Sequence, residues 1–164
     1  MSYAIAGARG MVADPEAAIK AVHAWATGHG GEVLVADAGA VFGRDHLETA
    51  VRHALRAEAA GTMVSHSVSM ETLRYLSAQR QVSDAIRIAG IRRGTGELAI
   101  VVFRTPSIER LLTEFGWARD DAVLEAEGKS LRTFGISQKE AATVARKSQV
   151  DLVLEKVALL DVHN

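Results

Sequence analysis

The sequence predicts one α/β domain of the α+β type, a small mixed sheet packed by helices, spanning residues 1–164. Three observations carry this expectation. Short apolar runs bounded by glycine mix with longer segments of helical periodicity along the whole chain. The run Leu98-Ala99-Ile100-Val101-Val102-Phe103 is apolar without a break, as a strand buried on both faces requires. The length, 164 residues with 48% apolar and 24% charged side chains, suits one self-sufficient core rather than global disorder.

The elements follow in order. Tyr3 to Gly7 reads as a first strand. Asp14 can cap free backbone N–H groups and Pro15 fits a first helical position, so a helix over Pro15 to Thr27 is expected, stopped by Gly28-His29-Gly30-Gly31. Glu32 to Ala36 reads as a second strand, and Gly39 to Gly43 as a loop or extra short strand. Arg44 to Ala60 carries Leu47, Ala50, Val51, Ala54 and Leu55 at helical spacing, with Gly61 as its stop. Thr62 to Ser67 is expected as a short strand. Ser69 is expected to cap a helix that breaks at Ser77-Ala78, before another from about Gln79 to Ala89. Glu97 to Arg104 is the central strand. Thr105-Pro106 should open a helix through Leu112. Helices are also expected over Asp120 to Phe134, Ser137 to Arg146 and Val150 to Val162, with a terminal strand the alternative for the last, since Leu152 to Leu154 is strand-compatible.

Composition narrows the chemistry. With 19 basic and 20 acidic residues, the chain has no overall attraction to nucleic acid or membrane. Zero cysteines exclude a disulfide scaffold, a thiolate nucleophile and cysteine-ligated metal within this sequence, and they fit a reducing cytoplasm. Met1 to Gly10 lacks a charged segment followed by a long apolar one, so no secretory signal is expected, and no run is apolar enough to span a membrane.

No catalytic or cofactor motif stands out. The glycines of Gly7-Ala8-Arg9-Gly10 and Gly94-Thr95-Gly96 are too few for a nucleotide loop and read as turn residues. His46 and His53 lie two helical turns apart, too far to share one ion, and each histidine reads as structural or solvent-facing. Ser65-His66-Ser67 has no nucleophile elbow around it. No metal site and no cofactor are expected.

Two features remain. From Arg74 to Arg104 there are six arginines (Arg74, Arg80, Arg87, Arg92, Arg93, Arg104) against Asp84 and Glu97. The planar guanidinium suits phosphates and stacking on bases. On a helical projection Val82, Ala85, Ile86 and Ala89 share one arc, with Arg80, Asp84 and Arg87 opposite. A solvated face of Arg80–Asp84 and Asp84–Arg87 pairs is the plainer reading of the same residues. The second feature is Val150 to Val162. Val150, Val153, Leu154, Val157 and Leu160 form a main apolar arc, while Leu152 and Leu159 sit near the other side. That second seam needs its own burial partner, within the domain or on another protein.

At these segments the chain resembles the small kinase-binding subunit of the KEOPS complex, the TPRKB-like family. The resemblance rests on Ser77-Ala78-Gln79-Arg80-Gln81-Val82-Ser83-Asp84-Ala85-Ile86 with Gly90-Ile91, and on Leu152 to Asp161. Gly7-Ala8-Arg9-Gly10 and Leu47, Ala50 and Ala54 also look like the family. Ala78 departs from it, since many members carry glycine there.

The resemblance implies a non-catalytic adaptor, of the archaeal type, in threonylcarbamoyladenosine modification of tRNA. It implies two partners, the small atypical protein kinase-ATPase of KEOPS and the single-stranded 3′ CCA end of tRNA, and neither membrane nor DNA. The RNA contacts expected on that basis are Ser65, His66, Arg74, Arg80, Gln81, Arg87, Arg92 and Arg93. The kinase face expected is Leu152, Glu155, Leu159 and Val162. The alternative is a small-molecule-binding α/β domain or enzyme using a pocket around His66 and Arg80.

Overall fold

The computed structural model describes residues 2–104, 107–145 and 148–163. Strand β1 (Tyr3–Arg9) is followed by α1 (Pro15–Gly28), β2 (Glu32–Asp37), α2 (Arg44–Ala60), α3 (Val68–Ser77) and α4 (Val82–Ala89). The chain continues through β3 (Glu97–Phe103), α5 (Ile108–Phe115), β4 (Ala118–Arg119), α6 (Gln138–Ala142) and α7 (Gln149–His163). The apolar run of β3 is central, as its composition predicts. β1 and β2 flank it, and β4 extends the far edge of β1, in the order β2-β3-β1-β4.

Every strand pair is antiparallel, so the expected mixed sheet is a purely antiparallel one within an α+β fold. In register, Ile5 faces Val101 across one ladder and Leu34 faces Val101 across the other. Alternation then sends Ile5, Leu34, Ala36, Ala99, Val101 and Phe103 to one face, where they meet the buried residues of α2, α3, α4 and α7. Ala6, Ala8, Leu98, Ile100 and Val102 go to the other face, against α1 and α5. Both faces are covered, which is why β3 needs no polar residue between Leu98 and Phe103.

Several local expectations hold and several change. Asp14 caps α1 by accepting from Ala17 N at 3.1 Å. Residues 62–67 form a loop, not a strand: the N–H groups of Val64 and Ser65 donate to the Glu71 carboxylate instead of to a neighbouring strand. Ser67, not Ser69, caps α3, accepting from Met70 N at 3.2 Å. The helix expected from Gln79 begins at Val82, because Ala78 takes a left-handed conformation (φ 54°) that ends α3 and redirects the chain. Thr105-Pro106 lies outside the described residues, and Ser107 caps α5.

The helix expected over Asp120 to Phe134 is two 3-10 turns, Asp121–Leu124 and Leu131–Phe134. Short acidic side chains compete with the helix here: Asp120 accepts from Ala122 N, and Asp121 reaches across to Gly7 N at 2.9 Å. Gly128, with φ 76°, interrupts further. Lys129 then folds inward, donating to the carbonyls of Val41 and Val123 at 2.7 and 2.6 Å. The helix expected over Ser137 to Arg146 shortens to α6, and Arg146 lies outside the described residues.

Gly7 is not a turn residue. It sits inside β1, and a Cβ there would lie 2.5 Å from the Asp120 carbonyl oxygen. Glycine is required because the 3-10 turn presses directly on the strand.

Candidate functional site

The residues expected to meet RNA gather around α3 and α4, at two depths. His66, Arg80, Gln81, Arg87, Arg92 and Arg93 are exposed. Ser65 and Arg74 are not, and both expectations of surface contact are corrected by burial. Arg74 is 0% exposed and its Nη1 donates to Glu71 Oε1 at 2.6 Å, with Glu71 also fully buried. Its Nε donates to the backbone carbonyl of Arg80 at 2.8 Å. Ser65 donates from both N and Oγ to Glu71 Oε2, at 2.9 and 2.6 Å. These two residues support the surface from beneath.

The arginine surplus read between Arg74 and Arg104 is therefore smaller at the surface than along the sequence. Arg74 is matched by Glu71, just outside that window, and Arg104 by Glu32 and Glu58 at 3.3 and 3.1 Å. Asp84 pairs with Arg87 at 3.5 Å. Arg92 donates to the carbonyls of Arg87 and Ile88, placing a cation at the C-terminal end of α4. Arg80, Arg87, Arg92 and Arg93 remain as one exposed set on the link before α4, on α4 itself and on the loop after it.

A cavity of about 500 Å3 lies between α1, the outer edge of β2, and the α3–α4 pair. Met70, Leu73, Ile86 and Ile91 line it with Val33 and Val35, and the serines Ser67 and Ser69 stand in its wall. Ile19 and Ile86, both lining residues, are 48% and 43% exposed. The cavity adjoins the Ser65-His66-Ser67 segment, but its titratable lining residues Glu16, Lys20 and His23 all come from α1. Composition gave no sign of it, because it needs β2 to be an edge strand, which only the pairing order reveals.

The C-terminal helix divides as its periodicity suggests. Val153, Val157 and Leu160 are buried, while Leu159 is 39% exposed, Val162 is 71% exposed and Glu155 lies outside. Leu152 departs from the expected outer seam: it is half-buried against the cluster of Phe42, Phe134, Ile136 and Val153. A polar contact anchors the far end of α7. Asp161 meets His53 Nδ1 of α2 at 2.6 Å and accepts from the hydroxyl of Tyr75 of α3. His53 and Tyr75 stack with centroids 5.1 Å apart. Burial, reinforced by the Asp161 carboxylate, pushes the Tyr75 hydroxyl well above its ordinary value, so it stays a donor. Sequence reading missed this trio, because its members come from three helices.

No helix among the described residues is long and apolar enough to cross a membrane. Two surfaces stand out on this small α+β domain, the exposed arginines around α4 and the outer seam of a terminal helix. Residues 16–122, well over half of the chain, match the family described as kinase binding protein CGI-121. The chain belongs to this kinase-binding, TPRKB-like family. The match includes the arginine-bearing α4 and ends before α7. Comparison with individual curated proteins gave no match.

Proposed function

We propose that this chain is a non-catalytic adaptor of the KEOPS tRNA threonylcarbamoyladenosine-modification machinery, acting in the cytoplasm. On this reading it holds the small atypical kinase-ATPase through the outer seam of α7 and the 3′ CCA end of tRNA through the α3–α4 surface. Membership in a kinase-binding family supports a kinase partner, and the α7 seam, beyond the matched residues, is proposed from its exposed Leu159 and Val162. One observation carries the second: Ile86 and Ile91, which line an apolar cavity of about 500 Å3, are followed in sequence by the exposed Arg87 and Arg92. Single-stranded RNA is held where a base can leave water while cations meet its backbone.

The chain has only eight aromatic residues, and Tyr75, the one nearest the arginines, is buried. Apolar aliphatic contact from Ile86, Ile91 and Met70 then takes the place of aromatic stacking for a terminal base. Arg80, Arg87, Arg92 and Arg93, with His66 and Gln81, would meet phosphates and sugar. A few phosphate contacts give weak, salt-sensitive affinity for the isolated subunit.

The test is tRNA binding by fluorescence polarisation, with and without the 3′ CCA end, at two salt concentrations. Binding that requires CCA and weakens with salt is expected. Equal binding of both tRNAs, or of neither, overturns the RNA half and leaves a protein-only adaptor. The rival, a small enzyme or small-molecule-binding domain around His66 and Arg80, has less support, because the titratable residues of the nearby cavity come from α1 rather than from that region.

A further inference from the structure

We infer that the buried pair Glu71–Arg74 is a two-ended clamp that sets the position of the two loops flanking α3, and that both are positioning residues for whatever those loops bind. For RNA as that ligand, the inference rests on the reading proposed above. Both side chains are 0% exposed. Burying two charges is a poor way to gain stability, and an apolar pair of similar volume often does as well. What an apolar pair cannot do is hold backbone.

Here the charged atoms do that at both ends of one helix. The Glu71 carboxylate accepts from Val64 N at 3.3 Å, Ser65 N at 2.9 Å and Ser65 Oγ at 2.6 Å, which ties down the loop before α3. The Arg74 guanidinium joins the same carboxylate at 2.6 Å and donates from Nε to the Arg80 carbonyl at 2.8 Å, which ties down the link after α3. The loops so held carry the exposed His66 on one side and the exposed Arg80 and Gln81 on the other. Hydrogen bonds to charged groups, satisfied inside a protein, are strong and geometrically narrow. The separation of His66 from Arg80 is therefore set by buried chemistry rather than by surface contacts.

The fork is essential to this role. Lysine can keep the charge opposite Glu71, but it has a single ammonium and cannot also present an Nε donor to Arg80. Arg74→Lys is expected to free the link after α3, and Glu71→Gln, which keeps shape and removes charge, to free the loop before it. Backbone amide exchange reads both. Exchange should accelerate about tenfold at Gln79, the hydrogen-bonded amide of the link, in Arg74→Lys and at Val64 and Ser65 in Glu71→Gln, with β3 and α2 unchanged. Affinity for a single-stranded RNA ending in CCA should fall about tenfold in each variant.

Salt dependence separates positioning from contact. Loss of one phosphate contact lowers the slope of log affinity against log salt by about 0.7 for a single strand. Arg80→Ala should show that drop, while the paired variant Glu71→Gln/Arg74→Met, which removes the Arg74 charge without leaving Glu71 unpaired, should weaken binding at unchanged slope. A reduced slope in the paired variant makes Arg74 a contact and overturns the inference. So do unchanged exchange in both loops and uniform loss of protection in both variants, which would make the pair a plain stability element. If the wild-type chain binds no CCA-ending RNA, the RNA reading fails by itself, and the exchange measurements still decide the clamp.

Discussion

At the scale of single residues, His46 shows how a buried polar group is tied to the fold. Its Nδ1 accepts from Phe42 N at 2.9 Å, so the ring is neutral with its proton on Nε2, which donates to the Leu76 carbonyl at 2.9 Å. Burial holds its pKa down at about 4, from an ordinary 6.5. The unfolded chain therefore binds the proton more readily than the folded one between those values. Stability is fully present above pH 6.5 and is lost as pH falls toward 4, by about 3 kcal/mol. Urea unfolding at pH 7 and pH 4 should show that loss, and His46→Asn should remove most of it while lowering stability at pH 7. An identical pH dependence in the variant would show that other groups are responsible. The sequence reading of His46 as structural rather than metal-binding follows from its spacing to His53. Its partners were not legible, because Leu76 lies 30 residues away.

At the scale of elements, the helices were legible wherever apolar periodicity was long, as in α2, and wherever a capping residue preceded it, as in α1. They were illegible where side chains captured backbone. The loop over 62–67 exists because Glu71 replaces a neighbouring strand as hydrogen-bond acceptor, and the irregular 120–134 stretch exists because Asp120 and Asp121 do the same. Ala78 is the sharpest case. It is the C-cap of α3 at φ 54°, where a Cβ meets steric strain and glycine does not. That gives a physical reason for the glycine that the family resemblance leads one to expect there. Ala78→Gly should relieve the strain, less the extra freedom glycine gives the unfolded chain, for a net gain of about 0.5–1 kcal/mol. Thermal unfolding should rise by roughly 2–4 °C per kcal/mol gained. A fall in the midpoint would mean that the methyl group packs well enough to outweigh its backbone conformation.

At the scale of the whole molecule, α3 is the shared support. α4 packs on it from one side, and α7 packs on both α2 and α3. The arginine set and the terminal seam were legible as patterns in sequence, because amphipathic periodicity survives folding. The cavity between α1 and the α3–α4 pair was not, since it depends on which strand ends at the sheet edge. Shared support does not by itself make the two proposed binding faces depend on each other. Coupling requires that a change at one face alter a packed contact that the other face uses. The exposed residues of the two faces do not do this: Arg87 meets Asp84 on its own helix, and Leu159 points outward while Val157 and Leu160 do the packing. On the proposed adaptor reading, Arg80→Ala with Arg87→Ala should therefore weaken RNA binding and lower its salt slope by about 1.4, with kinase affinity unchanged. Leu159→Glu should weaken kinase binding and leave RNA affinity unchanged. Because these are surface changes, unfolding free energy should stay within about 0.5 kcal/mol of wild type in each. In the combined variant the two losses should add, since sites without shared partners behave independently. If Leu159→Glu also weakens RNA binding, α3 transmits between the faces through Tyr75 and Asp161, and the two-face adaptor becomes a coupled one. If it leaves kinase capture intact, the outer seam of α7 is not the kinase face.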